Sequence, residues 1–416
     1  LADSIMVASV GEAAVSGVSL IDTVMVLIIN IFTALATGGA VIAGQFIGKQ
    51  KEAEACKATN QLLLFTVKAS VVVMALGYLG RNVILHGIFG KIDADVMYNC
   101  NIYLLIVFAS IPMIAVYNAG AAIFRSMGNS TIAMITSLIM NAVNLGGNAV
   151  LIYGCHRGIE GVAIPTLVSR CVAAAIILVL LNNQSRQIHI FHPFSFHTDW
   201  NLLKKILYIG IPNGLENSMF QLGKILVLSL VTSFGTASIA ANAVSNNIAM
   251  FAVLPGMSIG FAMLTVSAQC VGAGDFEQVK YYTKKLMKLT YLCLILMNIL
   301  VVLLLPFIIK VYGLSAEASE YARRILIYHS CCVVTIWPLS FSLANTLRAA
   351  ADVKYTMILA IVSMWTFRIG FSYILGSYLK WGVFGIWVAM TIDWLFRSIC
   401  FTIRYLGGKW KHASLV

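Results

Sequence analysis

The chain alternates between long apolar stretches and short polar segments over almost its whole length. Most apolar stretches reach about 20 residues, the length that an α-helix needs to cross the hydrocarbon core of a bilayer. Gly, Pro and charged residues interrupt the pattern where turns are expected. We predict twelve helical spans, near residues 1–9, 14–45, 58–80, 97–124, 130–153, 161–182, 205–234, 239–270, 283–312, 321–347, 354–379 and 383–406. Because an apolar segment is already under way at Leu1, we expect the first helix to be truncated.

The composition is that of an integral membrane protein. Of the 416 residues, 60% are hydrophobic and 11% are charged, and the mean hydropathy is +0.89. Soluble domains contain about 45–50% apolar and about 25% charged residues, so large soluble domains are excluded. The net charge of +12 does not indicate a nucleic-acid partner, because Lys and Arg are scattered over short loops. The cysteines form no Cys-x-x-Cys pair, which argues against a zinc site.

The two halves of the chain repeat each other at an offset of 223 or 224 positions. The repeated pairs are Gln45-Phe-Ile-Gly48 and Gln269-Cys-Val-Gly272, Arg125 with Met134 and Arg348 with Met357, and Gly158-Ile-Glu-Gly161 and Gly382-Val-Phe-Gly385. Because each half has an even number of spans, both copies share one orientation in the membrane. We therefore predict an all-α protein of two six-helix bundles, related by a pseudo-twofold axis along the membrane normal, with a central cleft.

A polar connection at residues 183–203 separates the two copies. We predict an N-lobe at 1–182 with spans 1–6, and a C-lobe at 204–416 with spans 7–12 and a short tail. Lys and Arg are more frequent in the connections on one side of the membrane. The positive-inside rule assigns that side, and with it both termini, to the cytoplasm.

Four carboxylates fall inside predicted spans: Asp3, Asp22, Glu216 and Asp393. A carboxylate at the centre of a helix in lipid costs roughly 2.5–3.5 kcal/mol, so each needs an interior partner or a wet cavity. Asp3 and Asp22 lie at similar depths on antiparallel predicted helices. If the two meet, their proximity favours a shared proton or a bound cation. The alternative is that Asp22 is a hydrogen-bonded structural residue.

Asn141, Asn144 and Asn148 are three and four residues apart in the fifth predicted span, so their amides share one helix face. Amide oxygens are neutral hard ligands that suit Na⁺. Thr166, on the sixth predicted span, adds a hydroxyl group. The alternatives are hydrogen bonding between helices by the amides and a bond from the Thr166 hydroxyl to its own backbone.

A second polar face opens the seventh predicted span. Glu216, Asn217, Gln221 and Lys224 recur there at helical spacing. Glu216 is ~16 Å from Lys205 along the helix, near the midplane where transporter sites lie. A role in substrate binding or in a second coupling site is favoured over a buried pair between Glu216 and Lys224.

Two other groups of polar residues are expected to be structural or solvated and not part of a functional site. Asp393 and Arg397 are four residues apart on the last span, where they can neutralise each other. His189, His192 and His197 resemble a metal-ligand cluster, but a solvated connection is the favoured interpretation. No HExxH, GxSxG, P-loop or GxGxxG motif occurs in a suitable context, so neither ATP hydrolysis nor another catalysed reaction is indicated.

Several motifs are distributed over both halves of the chain. They are Leu1-Ala-Asp-Ser-Ile-Met-Val with Gly11-Glu-Ala-Ala, Arg125-Ser-Met-Gly-Asn129, Asn144 through Gly154, Gly158-Ile-Glu-Gly-Val-Ala-Ile-Pro-Thr166, Gly272-Ala-Gly-Asp-Phe-Glu277, and Gly382-Val-Phe-Gly-Ile-Trp-Val-Ala-Met-Thr-Ile-Asp-Trp394 with Gly408-Lys-Trp410. In these motifs the sequence resembles the multidrug and toxic compound extrusion (MATE) family. The resemblance extends over nearly the whole chain.

The resemblance implies a secondary antiporter that takes up H⁺ or Na⁺ from outside and an organic compound from inside. Bacterial members with an N-lobe cation site build it from a first-span Asp, an Asn and an Asp on the fifth span, and a Thr on the sixth. The corresponding residues are Asp3, Asn144, Asn148 and Thr166, with Asp3 as the expected coupling residue and Na⁺ as a candidate ligand. Asn148 replaces a carboxylate of many relatives, and this lower charge weakens the attraction for Na⁺.

Other members of the family carry acids on the seventh and tenth spans of the C-lobe. Glu216 matches the seventh-span acid, but the tenth span around Trp337-Pro338 has no interior carboxylate. A complete C-lobe cation site of that type is therefore not expected.

The resemblance also implies the setting in which the protein works. We expect lipophilic and often cationic organic substrates, contact with membrane lipid, no nucleic acid, no cofactor other than the coupling ion, and a monomer in the cytoplasmic (inner) membrane of a bacterium. Two alternatives remain open. A lipid-linked oligosaccharide flippase of the same superfamily would need extra spans or a strongly basic cleft, and a membrane-embedded enzyme would need a metal or nucleophile constellation.

Overall fold

The computed structural model describes residues 6–7, 9–88, 93–190, 196–412 and 415. These residues form helices joined by turns and by a longer non-helical segment before Trp200, and none of them lies in a β-strand. The predicted all-α membrane fold is confirmed. The predicted first span, residues 1–9, lies largely outside the described residues.

The chain forms two compact units, each built from two segments of the sequence. The first unit contains Leu1–Ala43 and Lys51–Gly214, and the second contains Gly44–Gln50 and Leu215–Val416. The described part of the predicted connection at 183–203 therefore belongs to the first unit.

The described residues of the first unit form six α-helices and the beginning of a seventh. They are α1 (Glu12–Gly48, whose end belongs to the second unit), α2 (Glu52–Leu79), α3 (Ala94–Phe108), α4 (Ile111–Ser126), α5 (Ser130–Asn148), α6 (Glu160–Leu181) and the start of α7 (Trp200–Thr232). The predicted fourth span consists of α3 and α4, which meet at a bend of 48°. Pro112 lies in the first turn of α4, where a helix needs no N–H donor from it.

The described residues of the second unit form the rest of α7 and six further α-helices. They are α8 (Thr236–Gly272), α9 (Phe276–Tyr312), α10 (Ala316–Thr335), α11 (Leu343–Ala349), α12 (Val353–Ser363) and α13 (Gly382–Leu406). The predicted tenth span is a broken helix, because the π-helical turn Pro338–Ser342 joins α10 to α11 with a bend of 55°. Two more π-helical segments, Met364–Gly370 and Ser372–Tyr378, follow α12.

Length and composition identify the helices that can cross a membrane. Within the described ranges, eight helices qualify alone, and the two bent pairs raise the number to ten. The helix over the seventh predicted span, α7, has 33 residues but is more polar than these. The structure therefore supports a multi-pass membrane protein.

Two of the sequence motifs fix the starts of helices. In the turn before α5, Gly128 has a φ of 78°, and the Asn129 side chain accepts a 3.4 Å hydrogen bond from an amide in the first turn. In the turn before α9, Gly274 has a φ of 75°, and Asp275 accepts a 3.0 Å bond in the same way. Gly adopts positive φ without steric cost, and Asn and Asp are preferred N-cap residues.

The repeated Gln-x-x-Gly motifs pack against each other within the second unit. A Cβ atom at Gly48 would overlap the backbone carbonyl of Gln269. A Cβ atom at Gly272 would likewise overlap the carbonyl of Gln45. Only glycine allows two helix backbones to approach so closely. The buried Gln45 side chain donates from Nε2 to the Ala349 carbonyl at 2.8 Å.

The segment that leads into α7 is held against α2 in the first unit. Gln61 donates from Nε2 to the His197 carbonyl at 2.8 Å, and its Oε1 accepts from the Asp199 amide at 3.1 Å. Lys68 donates to the Thr198 hydroxyl at 3.1 Å. The Asp199 carboxylate accepts from two amides of the first turn of α7 and so caps this helix.

We expect Gly272→Ala to lower the midpoint of thermal unfolding of the purified protein in detergent. The added methyl group overlaps the Gln45 carbonyl, and overpacking of this kind costs about 1–3 kcal/mol. The control is Gly146→Ala on α5, where no atom lies within 4 Å of the new methyl group. Since Ala is the better helix former, that variant should keep or slightly raise the midpoint. Equal midpoints for the two variants would contradict the close crossing.

Candidate functional site

Three of the predicted cation-site residues come together on α5 and α6. Asn144 donates from Nδ2 to the Thr166 hydroxyl at 3.1 Å. Asn148 donates from Nδ2 to the Asn144 amide oxygen at 3.5 Å. The Thr166 hydroxyl in turn donates to the Val162 carbonyl at 2.9 Å. Two amides and one hydroxyl thus form a continuous hydrogen-bonded row inside the first unit.

The residues beside this row bring the two helices close together. A Cβ atom at Gly147 would lie 2.7 Å from the Cβ of Pro165. Pro165 has no N–H, so the Gly161 carbonyl lacks its usual helical donor. After Asn148 the backbone changes to the π-helical segment Ala149–Gly154, a local widening that is frequent at functional sites.

The residues of the predicted site and its neighbour Asn141 differ in how deeply their side chains are buried. The Asn148 and Thr166 side chains are buried, and Asn144 is half-buried. Asn141 shares the helix face but is exposed, and it makes no hydrogen bond with the described residues. Asp3, the predicted fourth member, lies outside the described residues. The row therefore offers neutral oxygen ligands to a proton-bearing group or a small cation.

Asp22 on α1 has partners within the first unit. Tyr103 donates its hydroxyl to Asp22 Oδ1 at 3.1 Å. Arg170, one turn after Thr166 on α6, interacts electrostatically with both Asp22 and Tyr103. It also donates to the Ser110 hydroxyl at 2.7 Å, at the bend between α3 and α4. These bonds support the interpretation of Asp22 as a structural residue.

Glu216 pairs with Arg348 and not with Lys224. Glu216 Oε1 lies 2.8 Å from Arg348 Nη2, and the two side chains are 12% and 17% exposed. Arg348 also donates to the Asn345 amide oxygen at 3.1 Å. The alternative that paired Glu216 with Lys224 is therefore wrong, and Lys224 instead lies over the Phe220 ring, 5.0 Å from its centroid. Since Arg348 is 132 positions away in sequence, helical spacing on α7 could not identify it.

The polar face of α7 keeps unused hydrogen-bonding capacity. The second carboxylate oxygen of Glu216 is buried and has no hydrogen-bond partner among the residues described. Asn217 and Gln221 are half-buried and make no hydrogen bond within the same part of the chain. This face can therefore accept a proton, a cation or a polar group of a substrate.

The pair on the last span has the geometry predicted for it. Arg397 Nε lies 3.0 Å from Asp393 Oδ1, and its Nη2 lies 3.2 Å from Oδ2. Ser363 donates to the same carboxylate at 2.5 Å. Both charged side chains are almost fully buried, so the two charges neutralise each other inside α13.

The two described histidines of the connection, His189 and His197, make separate contacts with α2. The His189 amide donates to Cys56 Sγ at 3.4 Å, whereas His197 contributes its backbone carbonyl to the contact with α2. His192 lies outside the described residues. Among those described, no three His, Cys, Asp or Glu side chains are grouped to hold a metal ion.

Sequence reasoning did not identify two cations that border these sites. Arg170 could have been found, because it follows Thr166 by four residues and so lies on the same face of α6. Arg348 could not, because it resembles an ordinary loop cation next to a turn. Its burial depends on packing within the second unit.

Comparison with known sequences gives consistent matches over the whole chain. A sequence model of the MatE family matches residues 1–150 and 212–374. The uncharacterized transporter YisQ of Bacillus subtilis is 26% identical over 415 residues, which cover 98% of this chain and 90% of that protein. The probable multidrug resistance protein NorM of Thermotoga maritima is 22% identical over 428 residues, which cover 100% of this chain and 89% of that protein.

Solved structures give matches of similar extent. A crystal structure of MATE in the bent conformation matches with a TM-score of 0.91 at 20% identity, covering 100% of this chain and 92% of the other. An outward-facing multidrug resistance transporter of the MATE family matches with 0.88 at 20% identity, covering 98% and 91%. A MOP superfamily transporter from Pyrococcus furiosus matches with 0.90 at 20% identity, covering 99% and 92%. At this level of identity the matches show a shared fold.

We expect Asp393→Asn to destabilise the protein strongly, because it leaves the buried Arg397 without its counter-charge. Breaking a buried ion pair from one side costs about 3–5 kcal/mol. The control is Glu320→Gln, which removes an exposed partner of Arg323 and should leave the midpoint of thermal unfolding almost unchanged. Replacing Asp393 and Arg397 together by Leu and Met should recover much of the loss. Equal midpoints for Asp393→Asn and Glu320→Gln would rule out a structural role for the pair.

Proposed function

The chain belongs to the MatE family, and we propose that it is a secondary active antiporter that exports organic compounds in exchange for H⁺ or Na⁺ by alternating access. The observation that carries the proposal is the hydrogen-bonded row of Asn144, Asn148 and Thr166 inside the first unit. Relatives named as probable multidrug resistance proteins, such as NorM of Thermotoga maritima, support organic compounds as the cargo. We propose lipophilic and often cationic compounds as substrates.

The chemistry of the row supports a site for one monovalent cation. None of its three side chains carries a charge, so we propose that Asp3 supplies the carboxylate that neutralises the cation. The Asn144 amide oxygen and the Thr166 hydroxyl oxygen each accept one bond within the row. Each retains a second lone pair that can face a cation. The row can therefore solvate Na⁺ or stabilise a protonated Asp3 while its internal hydrogen bonds remain in place.

Exchange requires that cation and cargo disfavour each other's binding state, and this linkage is reciprocal. Neutralisation of Asp3 from outside would release the cargo, and binding of the next cargo molecule from inside would release the cation. One charge that moves down a membrane potential of 100 mV gains roughly 2.3 kcal/mol. This free energy is enough for about fifty-fold accumulation of a neutral solute. A site with one carboxylate can thus drive useful export.

The decisive experiment measures drug transport in proteoliposomes under separately imposed Na⁺ and H⁺ gradients. Wild-type protein should respond to one of the two gradients, which identifies the coupling ion. Asp3→Asn should lose this response, because a neutral amide can neither take up the proton nor neutralise Na⁺. Movement of the cargo down its own concentration gradient, in the absence of an ion gradient, serves as the control for folding. Full gradient-driven export by Asp3→Asn would overturn the assignment.

Two asparagines of α5 form a matched pair for testing the row. Asn148→Ala removes a buried amide from the row and should raise the cation concentration for half-maximal transport about tenfold. Asn141→Ala, on the same face but exposed and outside the row, should change it by less than about twofold. Equal effects of the two substitutions would argue against the row as the cation site. Asn148→Asp adds a charge and should increase the response to Na⁺.

The bacterial relatives support a place in the cytoplasmic (inner) membrane of a bacterium. We propose that both termini are cytoplasmic and that the protein works as a monomer without a cofactor other than the coupling ion. Competition by a lipid-linked oligosaccharide would favour the flippase alternative. Chemical turnover of a substrate without any ion gradient would favour an enzyme.

A further inference from the structure

A cavity of about 540 Å³ opens in the second unit, away from the residues proposed for transport. It lies where the start of α8, the first turns of α10 and the turn before α13 meet. Its lining includes Ser238, Arg324, Lys380, Gly382, Val383 and Phe384.

Two exposed cations, Arg324 and Lys380, line the cavity and have no carboxylate partner among the described residues. The Arg324 guanidinium lies over the Phe384 ring, 4.3 Å from its centroid, which orients it along the cavity wall. Neither Arg324 nor Lys380 forms an ion pair within the described part of the chain. The nearest acids on α10 are already engaged, since Glu320 pairs with Arg323 at 3.4 Å and Glu317 accepts the Tyr321 hydroxyl at 3.0 Å.

The first turn of α13 adds backbone donors to the same cavity. Gly382, Val383 and Phe384 are the first three residues of this helix, and all three line the cavity. The residue before them, Trp381, provides no side-chain cap. Amides at this position have no acceptor within the helix, and the helix dipole makes them partly positive. They therefore attract an anion.

A hydroxyl on the cavity wall provides a further hydrogen-bond donor. Ser238 on α8 is only 4% exposed and lines the cavity. Its hydroxyl makes no hydrogen bond with any residue that the structure describes. The hydroxyl is therefore available to donate to a ligand in the cavity.

The first half of the chain shows how the same turn is completed without a ligand. His156 and Lys380 are equivalent positions, and both have positive φ, 52° and 58°. In the first half, Glu160 occupies the first turn of α6 and pairs with Arg157 at 3.5 Å. The position equivalent to Glu160 in the second half is Phe384. The first unit thus supplies its own negative charge, whereas the second unit leaves this charge to come from outside.

We propose that this cavity binds the phosphate group of an anionic phospholipid. Phosphate oxygens accept hydrogen bonds from a guanidinium, an ammonium, a hydroxyl and backbone amides, which are the donors assembled here. Two aromatic side chains at the same turn, Trp381 and Tyr378, are 51% and 82% exposed. Exposed Trp and Tyr next to apolar helices are typical of the membrane–water interface. This position favours a lipid headgroup over a dissolved phosphate ion.

The test uses purified full-length protein and requires no transport. Native mass spectrometry would compare binding of phosphatidylglycerol, phosphatidylcholine and inorganic phosphate. We expect phosphatidylglycerol to bind about tenfold more tightly than phosphatidylcholine, because only the former carries a net negative charge. Arg324→Gln removes a charged donor and should weaken phosphatidylglycerol binding about tenfold. Arg323→Gln, at the neighbouring exposed cation that is already paired, is the matched control and should leave it within about twofold.

A second substitution uses the comparison between the two halves. Phe384→Glu places a carboxylate where the first half has Glu160, and it should also weaken phosphatidylglycerol binding about tenfold. The midpoint of thermal unfolding would identify a variant that fails to fold. Lys380→Asn would then take its place in the binding test, since Asn tolerates positive φ.

Several results would overturn the proposal. One is equal binding of phosphatidylglycerol and phosphatidylcholine. Another is unchanged phosphatidylglycerol binding in folded Arg324→Gln and Phe384→Glu proteins. Tighter binding of inorganic phosphate than of the lipid would overturn the lipid as occupant while retaining the phosphate chemistry. None of these outcomes depends on whether the protein is an antiporter, because no gradient or cargo is present.

Discussion

A polar group that is buried in an apolar membrane protein must find its partner inside the protein, and this requirement governs the structure. Unpaired backbone groups are too costly in hydrocarbon, so the chain crosses only as helices. The same rule applies to side chains. Asp393 binds Arg397, Glu216 binds Arg348, and Asp22 accepts the Tyr103 hydroxyl. These three carboxylates therefore stabilise the packing of the helices.

The groups that this rule leaves incompletely satisfied are the informative ones. One oxygen of Glu216 and the hydroxyl of Ser238 lack hydrogen-bond partners in the described regions. The amides of Asn144 and Asn148 are bonded to each other, and Asn144 is bonded to the Thr166 hydroxyl, so neutral oxygens are gathered where they can solvate a cation. We place the coupling ion at the asparagines and a lipid phosphate beside Ser238, whereas the Glu216 oxygen can accept a proton, a cation or a substrate group.

The internal repeat preserves backbone geometry more closely than charge. Gly48 and Gly272 make equivalent close approaches, and positive φ recurs at the equivalent positions Gln50 and Gly274 and again at Gly128 and Ala351. The charged positions differ. Glu160 in the first half corresponds to Phe384 in the second, so a phenyl ring replaces the carboxylate. A repeated fold can thus hold different ligands in its two copies, because the backbone geometry recurs while single side chains determine the chemistry.

The sequence by itself determined the class of protein, the approximate spans, the repeat and the common face of the fifth-span asparagines. These features depend on hydrophobic length and helical spacing, which are local properties. It also identified the pair of Asp393 and Arg397, because both partners lie one turn apart on one helix. Only the tertiary structure showed that Arg348 is the partner of Glu216 and that Asn141 lies outside the row. It alone revealed the cavity beside Arg324. These contacts join residues that are distant in sequence, and their existence depends on how the helices pack.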